Sequence, residues 1–413
     1  MSAYKHGVYA LEAPTSILPP RRISASIPVV FGTAPIEDKD PAARKINEPV
    51  LCHTYSEFVA AFGDSEDWQS YTLCEFARSQ FGLYGVGPVV FVNVYDPEAH
   101  TTGDPVEPDP MQVTSADIIG GVDEITGRLT GLELISEVFT RFRVVPGLIC
   151  APGWSHDPAV AIAMAAKATG INGLFSAIAL VDVPDDTVPN YPDVPGYKND
   201  NNLTDPNMVV CWPKVQLGDQ VFHLSTQLAG LIGDVDAQSG DVPYRSPSNN
   251  RLYANAAVAG GEEAWLGLEQ ANHLNSQGLV TALNFVGGWK LWGNRTACYP
   301  DVTDPKDAFV PIRRFFSWHA NTFILTYFQK VDWPITRRLI QTIVDSENIR
   351  LNGFRAMEII LGGRIEFLED ENPVTDLMDG TIRFHTYLTP PSPAREIVNT
   401  LEYDPAYLQN LFS

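Results

Sequence analysis

The sequence predicts a mixed α/β (α+β) protein: a split core domain, an inserted α/β domain, and extended N- and C-terminal β arms. Three observations predict it. Short runs rich in β-branched and aromatic residues alternate with segments of helical apolar spacing between residues 23 and 291. A proline- and acid-rich stretch at 96–116, holding Pro97, Pro105, Pro108 and Pro110, interrupts that alternation. Proline-rich spacers, Pro14 with Pro19-Pro20 and Pro390-Pro391-Ser392-Pro393, set a β-prone strip apart at each end.

In chain order, His6 to Pro14 is a short extended strip. Ile23 to Ala34 begins with alternation and ends in an apolar run closed by Gly32, the pattern of a strand buried on both faces in its second half. Ser56–Phe62 and Ser70–Phe81 carry helical spacing, and Val89–Tyr95 is a dense β run. Past the 96–116 break come a helix (Gly131–Phe139), a strand ending in a turn (Gly147–Trp154), a helix (Pro158–Ala168) and two strands (Phe175–Val183 and Met208–Pro213). Strands alternating with helices imply a mostly parallel sheet. Leu279–Leu291 returns to β character, 311–329 and 334–351 are helical, and Glu358–Leu368 and Thr381–Leu388 are strands. Ala394–Tyr403 alternates again. The expected organisation is an N-terminal arm (1–22), a discontinuous core (23–98 with 279–389), an inserted α/β domain (99–278) and a C-terminal arm (390–413).

Composition narrows the function. Of 413 residues, 45% are hydrophobic and 19% charged, which describes a globular chain with a sizeable core. The net charge of −22 disfavours nucleic acid as a general partner, because phosphate binding needs clustered lysine and arginine. The five cysteines (Cys52, Cys74, Cys150, Cys211, Cys298) are widely spaced, with no Cys-x-x-Cys, so free thiols in a reducing compartment are expected. Met1–Tyr9 has no apolar signal-peptide core, and the apolar run Ala159–Val183 is broken by Lys167, Gly170 and Gly173. Cytoplasmic folding without membrane insertion is the expectation.

Motifs for chemistry are missing from the sequence. The glycines of Gly82-Leu83-Tyr84-Gly85-Val86-Gly87 follow a helix and precede a strand, the reverse of a dinucleotide loop, and read as a helix end and turn. No P-loop, no Gly-x-Ser-x-Gly elbow and no His-x-x-x-His pair occurs. The acidic groups Asp182, Asp185, Asp186 and Glu369-Asp370-Glu371 lack calcium-loop spacing and read as solvated surface. No catalytic residue, cofactor or metal is expected. Two segments are more telling. Gly287–Thr296 packs Trp289, Trp292, three glycines and Arg295 into ten residues, a composition for tight turning and packing. Between Pro311 and Ala356, seven arginines and lysines face three acidic residues in an otherwise acidic chain. There, Pro334 suits a first helical turn, and Ile335, Leu339, Ile340, Ile343 and Val344 form an apolar stripe with Arg337 and Arg338 on another face.

Taken in order, these residues resemble the contractile tail sheath proteins of phages and R-type bacteriocins along nearly the whole chain. The likeness runs through His6-Gly7-Val8-Tyr9, Ala151-Pro152-Gly153, Cys211-Trp212-Pro213, Ser246–Asn250, Trp292-Gly293-Asn294-Arg295-Thr296, Val331-Asp332-Trp333-Pro334 and Thr389–Ile397. It departs at 96–116 and 183–206, where the family is variable. The resemblance implies a conserved inner core, and subunits in stacked hexameric rings around an inner tail tube, assembled in the host bacterial cytoplasm as part of a virion tail or similar particle. It implies arms that add strands to a neighbour's sheet, here through Val8, Tyr9 and Leu11 at one end and Ile397, Val398, Leu401 and Tyr403 at the other. It implies a basic helix facing the tube, with Arg337, Arg338 and Arg350 as candidate contacts. Trp289, Trp292, Gly293, Asn294 and Arg295 become a structural loop. Baseplate and tail terminator proteins are the other implied partners. The rival readings are a split α/β enzyme, which requires a convergent pocket, and a type VI-like sheath component.

Overall fold

The computed structural model of the protein describes residues 24–124 and 126–412. The first strand, β1 (Pro28–Gly32), is wholly buried, and β2 (Val50–Cys52) precedes α1 (Tyr55–Phe62), whose N-cap Thr54 accepts from the Glu57 N–H. Helix α2 (Thr72–Ala77) runs into a wider turn over 78–84 that ends on left-handed Gly85, the helix end expected there, before β3 (Val89–Asn93). A two-residue ribbon, β4 (Thr101–Thr102) with β5 (Glu107–Pro108), and the short α3 (Ser115–Ile119) fill the proline-rich break.

Then come α4 (Ile135–Phe142), β6 (Leu148–Cys150), α5 (Pro158–Thr169), β7 (Ile178–Asp182), α6 (Val194–Asp200) and β8 (Met208–Cys211). Proline at the first position of α5 and the Asp157 cap on Ala159 N–H fix its start. Strands β9 (Lys214–Leu217) and β10 (Gln220–Phe222) lead into α7 (Leu224–Gln238), followed by β11 (Ala256–Ala259), β12 (Glu262–Glu263) and α8 (Leu268–Ser276). The chain closes through β13 (Leu279–Asn284), β14 (Trp289–Trp292), α9 (Pro305–Ala308), α10 (Val310–Tyr327), α11 (Arg337–Ala356), β15 (Gly362–Glu366), α12 (Val374–Met378) and β16 (His385–Thr389).

Eight strands form one sheet in the order β14-β13-β8-β7-β6-β1-β3-β2; the six inner strands are parallel and the two edge strands antiparallel. The expected boundaries do not follow this sheet. Strands β6, β7 and β8 of the anticipated insertion lie between β1 and β13 of the anticipated core, so 99–278 contributes the middle of the main sheet. Its separate layer is the smaller antiparallel sheet β10-β9-β11-β12. Residues 310–389 gather around two small cores, one of Phe315, Trp318, Leu351, Ile359 and Ile360 joined by Val242, and another of Tyr327, Leu339 and Ile343. There α10 and α11 back the two-stranded sheet β15–β16. Pro334 lies before the helix it was expected to open, because Thr336 caps α11 by accepting from Leu339 N–H at 3.1 Å.

Candidate functional site: the assembly surfaces

The doubly wound sheet offers one standard ligand position, the crevice beyond the carboxyl ends of β1 and β6, where strand order reverses. Here it is filled. Thr33 Oγ1 donates to Ser70 O at 2.7 Å and Thr72 N–H to Thr33 Oγ1 at 3.2 Å. A Cβ on Gly32 would meet Thr72 Oγ1 at 2.3 Å, and one on Gly153 would meet Thr72 Cγ2 at 2.8 Å. Helix α2 therefore plugs the crevice. Asp182 and Asp185, expected at the surface, are buried instead. Asp182 accepts from Ser155 Oγ at 3.2 Å and Ser225 N–H at 3.0 Å, and Asp185 pairs with Lys214 at 2.7 Å. The acidic triplet at 182–186 spans a strand end, so its first members turn inward. His223 is equally committed, holding Glu75 at 2.8 Å through Nδ1. Among the described residues no group of His, Cys, Asp or Glu can hold a metal ion, and all five cysteines are free and buried. No helix of the described residues is long and apolar enough to cross a membrane.

The tryptophan loop is tied to its surroundings at several points. Gly287 and Gly288, at φ 79° and 90°, turn the β13–β14 hairpin. The outer edge of β14 is closed by the loop 249–252: Asn249 N–H donates to Leu291 O at 2.6 Å and Leu252 N–H to Trp289 O at 3.0 Å. The Trp292 indole N–H donates to Asn272 Oδ1 at 3.0 Å. Gly293, at φ 133°, donates to Ser248 Oγ at 3.0 Å, in a space where a Cβ would approach Asn275 Oδ1 to 2.7 Å. Asn294 O accepts from Val310 N–H at 3.0 Å, tying the loop to the start of α10. Arg295 lies between the rings of Phe309 and Tyr299, 3.8 and 4.2 Å from their centroids, and burial lowers its pKa.

The three candidate tube-facing arginines separate. Arg337 and Arg338 open α11 exposed, with no ionic partner among the described residues. The first turn of α11 has no acidic side chain, so both cations sit at the positive end of a helix dipole that disfavours them. Exposed Phe328, Val331 and Trp333 lie just before them, and Lys330 Nζ stands 3.4 Å over the Trp333 ring. Arg350 corrects the expectation. Its side chain is 8% exposed, bonds Glu347 at 2.8 Å, and donates through Nη2 to His319 Nδ1 at 3.0 Å. It joins α10 to α11 and does not face outward. Burial first, and the Arg350 charge second, depress the His319 pKa to about 3.

Of the arm residues, Val8, Tyr9 and Leu11 lie outside the described residues. Ile397, Val398, Leu401 and Tyr403 are 74–88% exposed, and residues 390–404 form no strand with the described residues. A terminal 3-10 turn, Pro405–Phe412, exposes Tyr407 and Leu411 as well. Sequence reasoning missed Arg314, which reaches Asp236 on α7 at 3.1 Å and Ala25 O at 3.2 Å, pinning the root of the N-terminal segment. A doubled Arg313-Arg314 on a buried helix was the available signal.

The crevice is filled, and the C-terminal strip leaves a run of apolar side chains exposed. No family model matches the chain. It is 26% identical to the tail sheath protein of Burkholderia phage BcepMu, over 99% of this chain and 98% of that one. It is also 26% identical to the tail sheath protein of Escherichia phage P2, over 100% and 98%. In fold it is similar to the helical sheath of the anti-feeding prophage in its contracted state, at a TM-score of 0.68 and 14% identity, covering 98% of this chain and 100% of that one. In sequence and in fold the chain is similar to contractile tail sheath proteins.

Proposed function

We propose that this protein polymerises as stacked hexameric rings around an inner tail tube and contracts to drive the tube through a target envelope. The carrying observation is the C-terminal strip, whose apolar residues Ile397, Val398, Leu401 and Tyr403 are exposed and have no backbone partner among the described residues. Exposed apolar strips of this extent mark interaction sites. The N-terminal arm supplies the second tie between subunits. The exposed start of α11, with Arg337 and Arg338 beside Trp333, faces acidic groups on the tube. Single exposed ion pairs of about 0–1 kcal/mol hold such a contact while letting it break in contraction. Energy resides in the difference between two packings of the lattice, so the mechanism requires no nucleotide. Baseplate and terminator proteins bound the polymer at its ends, and assembly takes place in the host bacterial cytoplasm.

Ending the chain at Pro390 tests the reading. The truncated protein should remain folded and sediment as a monomer at concentrations where the full chain forms large particles. Unchanged particle formation by the truncated chain would refute the role of the C-terminal strip.

A further inference from the structure

Two features outside the terminal strips leave apolar and charged groups in solvent. The first is the tip of the β13–β14 hairpin. Asn284 pairs with Trp289, so a four-residue turn, Phe285-Val286-Gly287-Gly288, joins the strands. Both glycines take positive φ, which commits the bend to them and leaves the two apolar side chains at the apex. Phe285 is 65% and Val286 70% exposed. Behind them stand two cations. Arg251 and Lys290 oppose each other across an antiparallel bridge, and the Lys290 amine lies so near the turn that a Cβ on Gly287 would come within 3.9 Å of it. Like charges directly opposite each other destabilise a pair of strands. Neither cation has an ionic partner among the described residues. Lys290 donates to Asn249 Oδ1 at 3.0 Å, and the Arg251 guanidinium rests 5.7 Å from the Tyr253 ring centroid.

The second feature is a groove of about 560 Å³ beside the small antiparallel sheet. One wall is the β11–β12 hairpin, where Ala259 pairs with Glu262 across Gly260-Gly261, both at positive φ as a two-residue hairpin turn requires. The loop 189–193 forms the other wall and abuts the hairpin at Gly260, where a Cβ would stand 3.0 Å from Pro189 Cβ. Trp212 lies beneath, buried and fixed by its indole N–H donating to Val188 O at 3.1 Å. Tyr191 and Leu266 line the groove half-buried, and Trp265 lines it 79% exposed. Glu262, Glu263 and Asp193 add three carboxylates, all exposed and without an ionic partner among the described residues.

The two surfaces are complements: an apolar tip backed by cations, and an aromatic groove set with carboxylates. They do not satisfy each other within one chain, since Phe285, Val286 and Trp265 are all exposed. We propose that the hairpin tip Phe285-Val286 of one copy of this chain seats in the Trp265 groove of a second copy, with Arg251 and Lys290 against Glu262 and Glu263. A patch and its complement at different places on one chain make a heterologous contact, which repeats from copy to copy until it closes a ring or continues as a helix. Copies of net charge −22 repel at long range, so one local match of opposite charge selects the approach. The aromatic side chains supply the apolar burial once the tip is seated. The contact rests on the assembly reading above and involves neither arm.

Cross-linking of the full chain with a short bis-maleimide tests it, because all five native cysteines are buried. Val286→Cys and Glu263→Cys each place one thiol at an exposed position. In polymer of the doubly substituted chain the reagent should give a ladder of covalent dimers, trimers and larger species. Polymer mixed from the two single variants should give dimers and nothing larger, and either single variant alone should give none. Polymer without the ladder would overturn the contact and leave the assembly reading in place, with the groove open to a different partner. Dimers from Val286→Cys alone would mean that tips meet tips, and would overturn it as well. Absence of any polymer from the unsubstituted chain would overturn both readings. Charge reversal is the second readout. Lys290→Glu should leave the monomer's unfolding transition in place, since a glutamate opposite Arg251 replaces a like-charge pair. It should raise the concentration needed for assembly at least about tenfold. Adding Glu262→Lys and Glu263→Lys to the same chain should bring that concentration back to within about threefold of the unsubstituted value. Losses that simply add would refute the pairing.

Discussion

The joint between α10 and α11 should weaken in mild acid, and the size of the effect follows from one histidine. Arg350 donates to His319 Nδ1, which requires that nitrogen to be unprotonated. Burial and the adjacent guanidinium lower the His319 pKa from 6.5 to about 3. The unfolded chain binds a proton at this position below pH 6.5 and the folded chain does not, so stability is full above 6.5 and falls as pH drops toward 3. Each pH unit within that window costs up to about 1.4 kcal/mol. Between pH 7 and pH 5 the loss is about 2 kcal/mol, and it levels off near pH 3 at about 5 kcal/mol. Urea unfolding of the wild type and of His319→Gln at pH 7 and pH 5 isolates the effect from other carboxylates and histidines. Glutamine can still accept from Arg350 but does not titrate. The wild type should lose about 2 kcal/mol more than the variant across that interval. Equal losses would refute a buried neutral histidine at the joint.

Two further substitutions probe the other assignments. Gly293→Ala places a Cβ 2.7 Å from Asn275 Oδ1 at a φ of 133°, and should destabilise the chain by about 1–3 kcal/mol, read by thermal unfolding. An unchanged midpoint would remove the structural role of the tryptophan loop. Reversing charge with Arg337→Glu and Arg338→Glu should leave the monomer at least as stable, since acidic side chains suit the start of α11. The same change should reduce recovery of tube-bound particles on co-expression with the tube protein, and unchanged recovery would move the tube contact elsewhere.

Much of the element pattern was legible because it depends on local chemistry. The runs ending in Gly32, Asn93, Cys150, Asp182 and Cys211 are all strands buried along their length, and α5 starts where Asp157 and Pro158 say it should. Their order across the sheet was not legible. Strands buried on both faces have nearly the same composition, so no residue in β6 or β7 declares that it lies beside β1 rather than in a separate domain. Helix α7 escaped notice because twelve of its fifteen residues are buried, which erases the apolar stripe that periodicity detects. The short strands β9 and β10 carry polar residues, β11 is mostly alanine, and all three fall below the length at which alternation is distinctive.

For the candidate site, proline spacing and charge are what suggested the arms and Arg337 with Arg338. Arg350 was misread because helical spacing shows which residues share a face, not what another helix lays over it. Its partner Glu347, three residues earlier, was the visible hint. The acidic side chains of Asp182 and Asp185 show the same limit, since their serine and lysine partners come from distant segments.

The central claim is that this chain assembles with itself, and electron microscopy of the purified full-length protein across a range of concentrations tests it most directly. The account predicts hollow, ringed cylinders that appear above a threshold concentration and are wide enough to enclose a tube. Monomers or small closed oligomers at every concentration would contradict it.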